Sequence, residues 1–245
     1  MKILYLDCTN GISGDMLLKA LSVLGRCEAE VVSAMEAADF GEQRSFHHSQ
    51  HGRSFNEVKH IIADSGFTEK ARKCAVNIYS HIAEAEAEVH GESIETIHFH
   101  EVGRDQAIKN ALGIGMALDI IAPDKVEVSA IYDGKGTVVC SHGKIPVPVP
   151  AVRALMKRST LTFRQADVDT EMVTPSGLAG LMGIGARQAA PEHIGSNPWN
   201  DLQDNNGWSP VPELIISQTE ARGGRDTGRG GLKAYILETG GTDEA

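Results

Sequence analysis

The stretch His98-Phe99-His100-Glu101-Val102-Gly103 sets two imidazoles and a carboxylate within four residues. In an extended chain the period of two turns His98 and His100 to one face. Both rings then reach one divalent ion, and Glu101 joins them if the chain turns into a helix there. Imidazole suits zinc, copper, iron and nickel alike, so this spacing does not choose the metal. A pair of structural histidines is the alternative that spacing leaves open.

Other residues of the right type sit at expected element boundaries, where α/β proteins gather ligands. Lys2–Leu6 predicts a buried strand ending at Asp7, Thr9–Asp15 a polar turn, and Met16–Leu24 a helix. Strand, glycine-containing loop and helix together present backbone N–H groups and a helix N-terminus to an anion. Asn10, Gly11, Ser13 and Gly14 are therefore candidate cofactor-binding residues. Their loop matches neither the P-loop nor the dinucleotide fingerprint, and a tight turn capped by Ser13 is the alternative. Asp7 and Asp15 can flank a metal, or Asp15 can complement the helix dipole. Cys8 lies beside them as an alternative thiolate ligand. In His142-Gly-Lys-Ile-Pro-Val-Pro-Val-Pro150, alternating prolines exclude a helix or central strand and predict a stiff rim that fixes His142. In Glu171-Met-Val-Thr-Pro-Ser-Gly177, Thr174 reads as a cap and Pro175 as the first helical residue, which places Glu171 beside a helix N-terminus. Arg222–Gly231, with five glycines and three arginines, is either a flexible turn or a clasp in which arginines such as Arg225 grip a phosphate or carboxylate.

The elements that must position these residues read as α/β. Helices are predicted at Glu28–Ala37, Asn56–Ser65, Thr68–His90, Asp105–Ile121, Ala151–Lys157 and Leu178–Ile184. Strands are predicted at Val126–Ile131, Gly136–Ser141, Phe163–Asp169, Leu214–Ser217 and Leu232–Leu237. Ala71, Ala75, Ile78, Ile82, Ala85 and Val89 step by four and three, so Thr68–His90 is amphipathic with an Ala-rich stripe. That stripe could mate with a second copy, giving a homo-oligomer. The expectation is one domain over residues 1–245, with a mixed or mostly parallel sheet flanked by helices. A helical insertion falls at about 56–90 and a long loop at about 189–212.

Composition bounds the function. A formal net charge of −10 argues against a nucleic-acid or anionic-membrane binder and suits the collection of cations. The N-terminal apolar run is broken at Asp7, so it is no secretory leader. No stretch approaches the ~18 apolar residues a membrane helix needs. A cytoplasmic protein is expected, and the four scattered cysteines, with no CxxC, predict no disulfide framework.

Five separated motifs occur in order: YLDCTNGISGDMLLKAL, HIAEAEAEVHG, HFHEVG, SHGKIPVPVP and EMVTPSGLAGL. Together they resemble the LarC-type nickel-insertion proteins, over nearly the whole chain. The resemblance implies a nickel chelatase, or cyclometallase, of the lyase class. Such an enzyme places Ni²⁺ into pyridinium-3,5-bisthiocarboxylic acid mononucleotide to give the nickel-pincer nucleotide cofactor. It also implies CTP hydrolysis with Mn²⁺ or Mg²⁺. Imidazoles and carboxylates suit transient nickel delivery, being less soft than thiolates. On this reading His98, His100, Glu101, Asp7, Asp15 and His142 are metal ligands. Glu101, Glu171 or a histidine takes the proton as the ring C–H becomes C–Ni.

Two departures stand out. Gln106 and Asn110 occupy positions where the family pattern, like AVDSIxDIVG, has aspartates, which weakens a site for Mn²⁺ or Mg²⁺. Ala221-Arg-Gly-Gly-Arg-Asp226 matches a GYGAGTRD-like turn only in part. Many members also carry a C-terminal domain linked to CTP, so a separate polypeptide of that type is the expected complement. Two other readings stay open: a non-catalytic metal-binding paralogue or scaffold, and a metal-dependent hydrolase of a phosphorylated ligand.

Overall fold

The computed structural model describes residues 1–40, 52–140, 143–195, 208–224 and 227–240. The chain runs β1 (Lys2–Asp7), α1 (Gly14–Leu24), α2 (Glu28–Ala37), β2 (Arg53–Ser54), α3 (Phe55–Ala63), α4 (Glu69–His90), β3 (His98–Phe99) and α5 (Asp105–Ile121). It continues through β4 (Lys125–Val128), β5 (Ile131–Asp133), β6 (Thr137–Cys140), β7 (Gly143–Pro146), α6 (Pro150–Arg158), β8 (Phe163–Gln165), α7 (Pro175–Gly183), β9 (Arg187–Gln188), β10 (Ile215–Ala221) and β11 (Leu232–Glu238).

The main sheet has the order β10-β11-β1-β4-β9. β4 is parallel to both β1 and β9, while β11 is antiparallel to both β1 and β10. The architecture is α/β with a mixed sheet, as its alternating elements predict. β1 is central, and its residues from Ile3 to Asp7 are buried on both faces. Leu4 and Leu6 join the helices in the main core, whereas Ile3 and Tyr5 pack with Tyr235, Leu237 and Ala189 on the other face. That alternation follows from the period-two pleat.

The Ala-rich stripe of α4 buries Ala71, Ala75, Ile78, Ile82 and Ala85 as its spacing requires. Thr68 accepts the Ala71 N–H at one end, and Gly91 closes the other at φ 67°. α5 lies so near that a Cβ on Gly115 would come within 2.5 Å of the Ala71 carbonyl. Val89, the last residue of the stripe, is exposed instead.

Three strand expectations need correcting. Val126–Ile131 is not one strand: Val128 pairs with Leu6 and Gln188, and Ile131 pairs with Phe163 in a separate two-stranded sheet. The break falls at Ser129, whose hydroxyl accepts the Cys8 N–H at 2.8 Å. The strand expected at Gly136–Ser141 does not enter the main sheet; Thr137–Cys140 pairs with Gly143–Pro146 as a hairpin. Pro146 lacks the N–H that a central strand needs, so this segment ends at an edge. The predicted strand Phe163–Asp169 shortens to β8.

Candidate functional site

A cavity of about 700 Å³ opens between α4, α5 and the β6–β7 hairpin. Its apolar wall includes Ile78, Ile82, Val89, Ile114, Val138 and Ile145. Its polar rim comes from the starts of four helices: Gly14 and Asp15 of α1, Arg104 and Gln106 at α5, Pro150 and Ala151 of α6, and Thr174 to Ser176 at α7. The first turn of a helix carries unpaired N–H groups and the positive end of the dipole. Convergent N-termini therefore favour an anionic ligand.

The starts of α1 and α7 are built as one unit. The Ile12 N–H donates to the Met172 carbonyl at 2.9 Å, and the Thr174 N–H donates to the Ile12 carbonyl at 3.0 Å. Ser13 and Thr174 then cap their helices, accepting from the Met16 and Gly177 N–H groups. This contact needs glycine at position 11: φ is +84°, and a Cβ there would stand 2.2 Å from the Met172 carbonyl oxygen.

The HFHEVG segment is held from behind. Phe99 is buried against the rings of Phe55 and Tyr79. The Tyr79 hydroxyl donates to the Val102 carbonyl at 2.6 Å. Arg53, 2% exposed, donates to the Gly103 carbonyl at 2.8 Å and pairs with Asp105 at 2.6 Å. β3 ends at Phe99 and the chain bends at His100. His98 lies opposite Ser54, while His100 and Glu101 line the cavity.

Of the candidate residues, Gly14, Asp15, His100, Glu101 and Glu171 therefore share the cavity. The others with described positions do different work. Asp7 is buried and accepts both the Thr9 N–H at 3.0 Å and its hydroxyl at 2.7 Å, closing the turn after β1. The Asn10 amide donates to the Gly231 carbonyl, Gly11 leaves room for the contact of Ile12 with the lead-in to α7, and Ser13 is the cap. Burial and the neighbouring Asp7 push the Cys8 thiol well above its ordinary pKa, which disfavours a thiolate ligand there. His142 and Arg225 lie outside the described residues. Among the described residues, no group of three His, Cys, Asp or Glu side chains stands ready to hold a metal ion.

Glu86 and His90 also line the cavity, one helical turn apart with 3.4 Å between Oε2 and Nε2. Their i,i+4 spacing on the edge of the α4 stripe was a usable signal. Gln106 donates to Asn110 at 2.8 Å, and Asn110 donates to Asp15 at 2.6 Å. This relay joins α5 to α1 across 95 residues of sequence, which no local pattern reveals.

Fold and cavity together define an α/β protein that presents helix starts, carboxylates and imidazole to one ligand-sized space. The model of the nickel insertion protein family matches residues 4–194, and the chain belongs to that family. It is 37% identical to a protein of Acetivibrio thermocellus named pyridinium-3,5-bisthiocarboxylic acid mononucleotide nickel insertion protein, over 97% of this chain and 60% of that protein. Proteins of the same name from Alkaliphilus metalliredigens and Clostridium kluyveri are 32% and 33% identical, over 96% and 74% of this chain and 60% and 53% of theirs. The chain thus spans about 60% of the length of the first two. No solved structure matches it. No helix among the described residues is long and apolar enough to cross a membrane.

Proposed function

We propose that this chain handles Ni²⁺ as a substrate and inserts it into a pyridinium-3,5-bisthiocarboxylic acid mononucleotide held in the cavity. The observation that carries the reading is the meeting of Asp15, His100, Glu101 and Glu171, from three separate motifs, at a rim of helix N-termini. The N-termini of α1 and α7 suit the phosphate of the nucleotide. His100 and Glu101, exposed at the rim, are exchangeable ligands for nickel. The two sulfurs of the nucleotide complete a coordination shell that these side chains leave open. Glu171, 9% exposed, takes the ring proton as the C–H bond becomes C–Ni. Insertion of this kind is nickel chelatase chemistry, and the setting we infer is cytoplasmic.

CTP with Mn²⁺ or Mg²⁺ is a different matter. Hard cations take clustered carboxylate oxygens. Here Asp15 receives an amide from Asn110, and Gln106 fixes that amide. These residues do not fit such an ion. The same relay favours a second reading, a paralogue that binds nickel without turnover.

The test is calorimetric titration of Ni²⁺ into wild type and His100→Ala/Glu101→Ala, followed by mass spectrometry of the nucleotide after incubation with Ni²⁺. Binding lost in the variant, with nickel gained by the nucleotide in wild type only, supports insertion. Binding without any nickel-bearing product selects the paralogue. Binding unchanged in the variant sinks the site.

A further inference from the structure

Three segments meet beneath the polar rim: the turn after β1, the end of β5 and the lead-in to α7. The Cys8 carbonyl accepts from both the Gly11 and Tyr132 N–H groups, which ties the first two together. Asp133 ties in the third. It is 3% exposed, and its Oδ1 accepts from the N–H groups of Gly134, Met172 and Val173 at 2.8, 2.9 and 3.0 Å. Its Oδ2 is buried with no hydrogen-bond partner among the described residues. Between Glu171 and Pro175 the backbone is thus pinned from two sides. Asp133 takes the Met172 and Val173 amides, while Ile12 takes the Met172 carbonyl and the Thr174 amide.

We propose that Asp133 is the positioning residue of the cavity, holding Glu171 and the start of α7 in fixed register with the start of α1. The arrangement costs more than a turn requires. A buried polar atom without a partner is unfavourable, and a short neutral side chain could cap two amides at less expense. What a carboxylate adds is strength, since hydrogen bonds to an ionised acceptor are roughly twice as strong as neutral ones. Burial pushes the Asp133 carboxyl above its ordinary pKa while the three N–H groups pull it down. Local cost spent on rigidity is expected where geometry governs reactivity, because a misplacement of about 1 Å can lower a rate about 100-fold. Asp133 does not line the cavity, so it acts through the segment that does.

The inference rests on Glu171 serving as base in the reaction proposed above, and the experiment separates the two. Turnover is measured for wild type, Asp133→Asn, Glu171→Gln and the double variant, with thermal unfolding of each. The expected result is that Asp133→Asn lowers kcat about 100-fold, with KM raised as well because the start of α7 shifts with Glu171. In the Glu171→Gln background the same substitution costs less than about threefold. An equal fractional loss in both backgrounds, or wild-type turnover in Asp133→Asn, overturns the inference, since a merely structural residue gives one of those results. If wild type makes no nickel product, the functional reading fails and amide hydrogen exchange decides the inference. Met172, Val173 and Ile12 are expected to exchange as slowly as β1 in wild type, and at least tenfold faster in Asp133→Asn with β1 unchanged. Fast exchange in wild type, or no change in the variant, overturns it; the wild-type measurement stands even if the variant fails to fold.

Discussion

On the sheet face away from the main helices, Glu127 and His193 meet at 2.7 Å, and both are more than nine-tenths buried. Glu127 also accepts the Ala190 N–H, so the pair fastens residues 189–195 over β4. Beside it Tyr5 packs on Tyr235, and the Tyr5 hydroxyl bonds to the Trp208 carbonyl. Burial pushes the Tyr235 hydroxyl up to about 12. At the cavity Asp15, His100, Glu101 and Glu171 sit at the starts or ends of elements and face a shared space. Both regions gather titratable side chains. Those behind the sheet are closed on one another and on the backbone, which is what a buried polar group needs in order to be structural. Those at the rim converge on a space large enough for a ligand. Residue type alone therefore does not mark a site; what matters is whether the side chains face a space that a ligand can fill.

Substitution should separate the two regions cleanly. Glu171→Gln is expected to lower nickel insertion by about 100-fold or more, the range for losing a general base, with little change in thermal midpoint. Product formed at the wild-type rate would remove Glu171 from the chemistry. Glu127→Ala does the reverse. It leaves His193 buried without its partner, and urea unfolding should show a loss of about 3 kcal/mol with nickel affinity unchanged. Gly11→Ala falls between the regions. At φ +84°, with Met172 in the way, it must strain or part the α1–α7 contact. A loss of about 2 kcal/mol is expected, together with weaker nucleotide binding. Stability lost without any change in binding would show that the contact supports the fold and not the rim.

What could be read from sequence was local. The stripe of α4, the caps at Ser13, Thr68 and Thr174, and the helix start at Pro175 are set by neighbours within four residues, and the structure has them all. The main sheet's alternation of strand and helix was legible for the same reason. The β6–β7 hairpin and the break at Ser129 were not, because they depend on which strand is available to pair. The same limit applies at the site. His98 and His100 share a face only if the strand runs on. Arg53 and Tyr79, 50 and 23 residues from the groups they hold, fold the loop instead. Asp15, His100, Glu101 and Glu171 are each marked by their motifs, yet their meeting is tertiary. So is the relay through Asn110, although the amides at 106 and 110 could be seen as departures from the family pattern.

That relay gives a sharper test of the rim. Asn110→Asp replaces the donor to Asp15 with a second carboxylate. Mn²⁺ binding, with a dissociation constant on the order of millimolar, is expected to appear in electron paramagnetic resonance titrations. No Mn²⁺ signal would mean that something other than the amide keeps hard cations away.

The smallest effect is expected just outside the rim. Ser54 and Glu57 form a capping box at the start of α3, directly across from His98. Ser54 donates to the Glu57 carboxylate through both its hydroxyl and its N–H, at 2.7 Å each, and these bonds hold the carboxyl below the ordinary carboxylate range. A carboxyl with a lowered folded pKa adds stability above its unfolded pKa and loses it as pH falls through the folded value. Ser54→Ala should therefore cost about 1 kcal/mol at neutral pH, the usual worth of a cap, and the difference from wild type should shrink on acidification. Nickel affinity should not move, because this box braces β2 and β3 without reaching the cavity. A fall in nickel affinity would show instead that His98 and its strand belong to the metal path, and would bring the HFHE motif back together as one site.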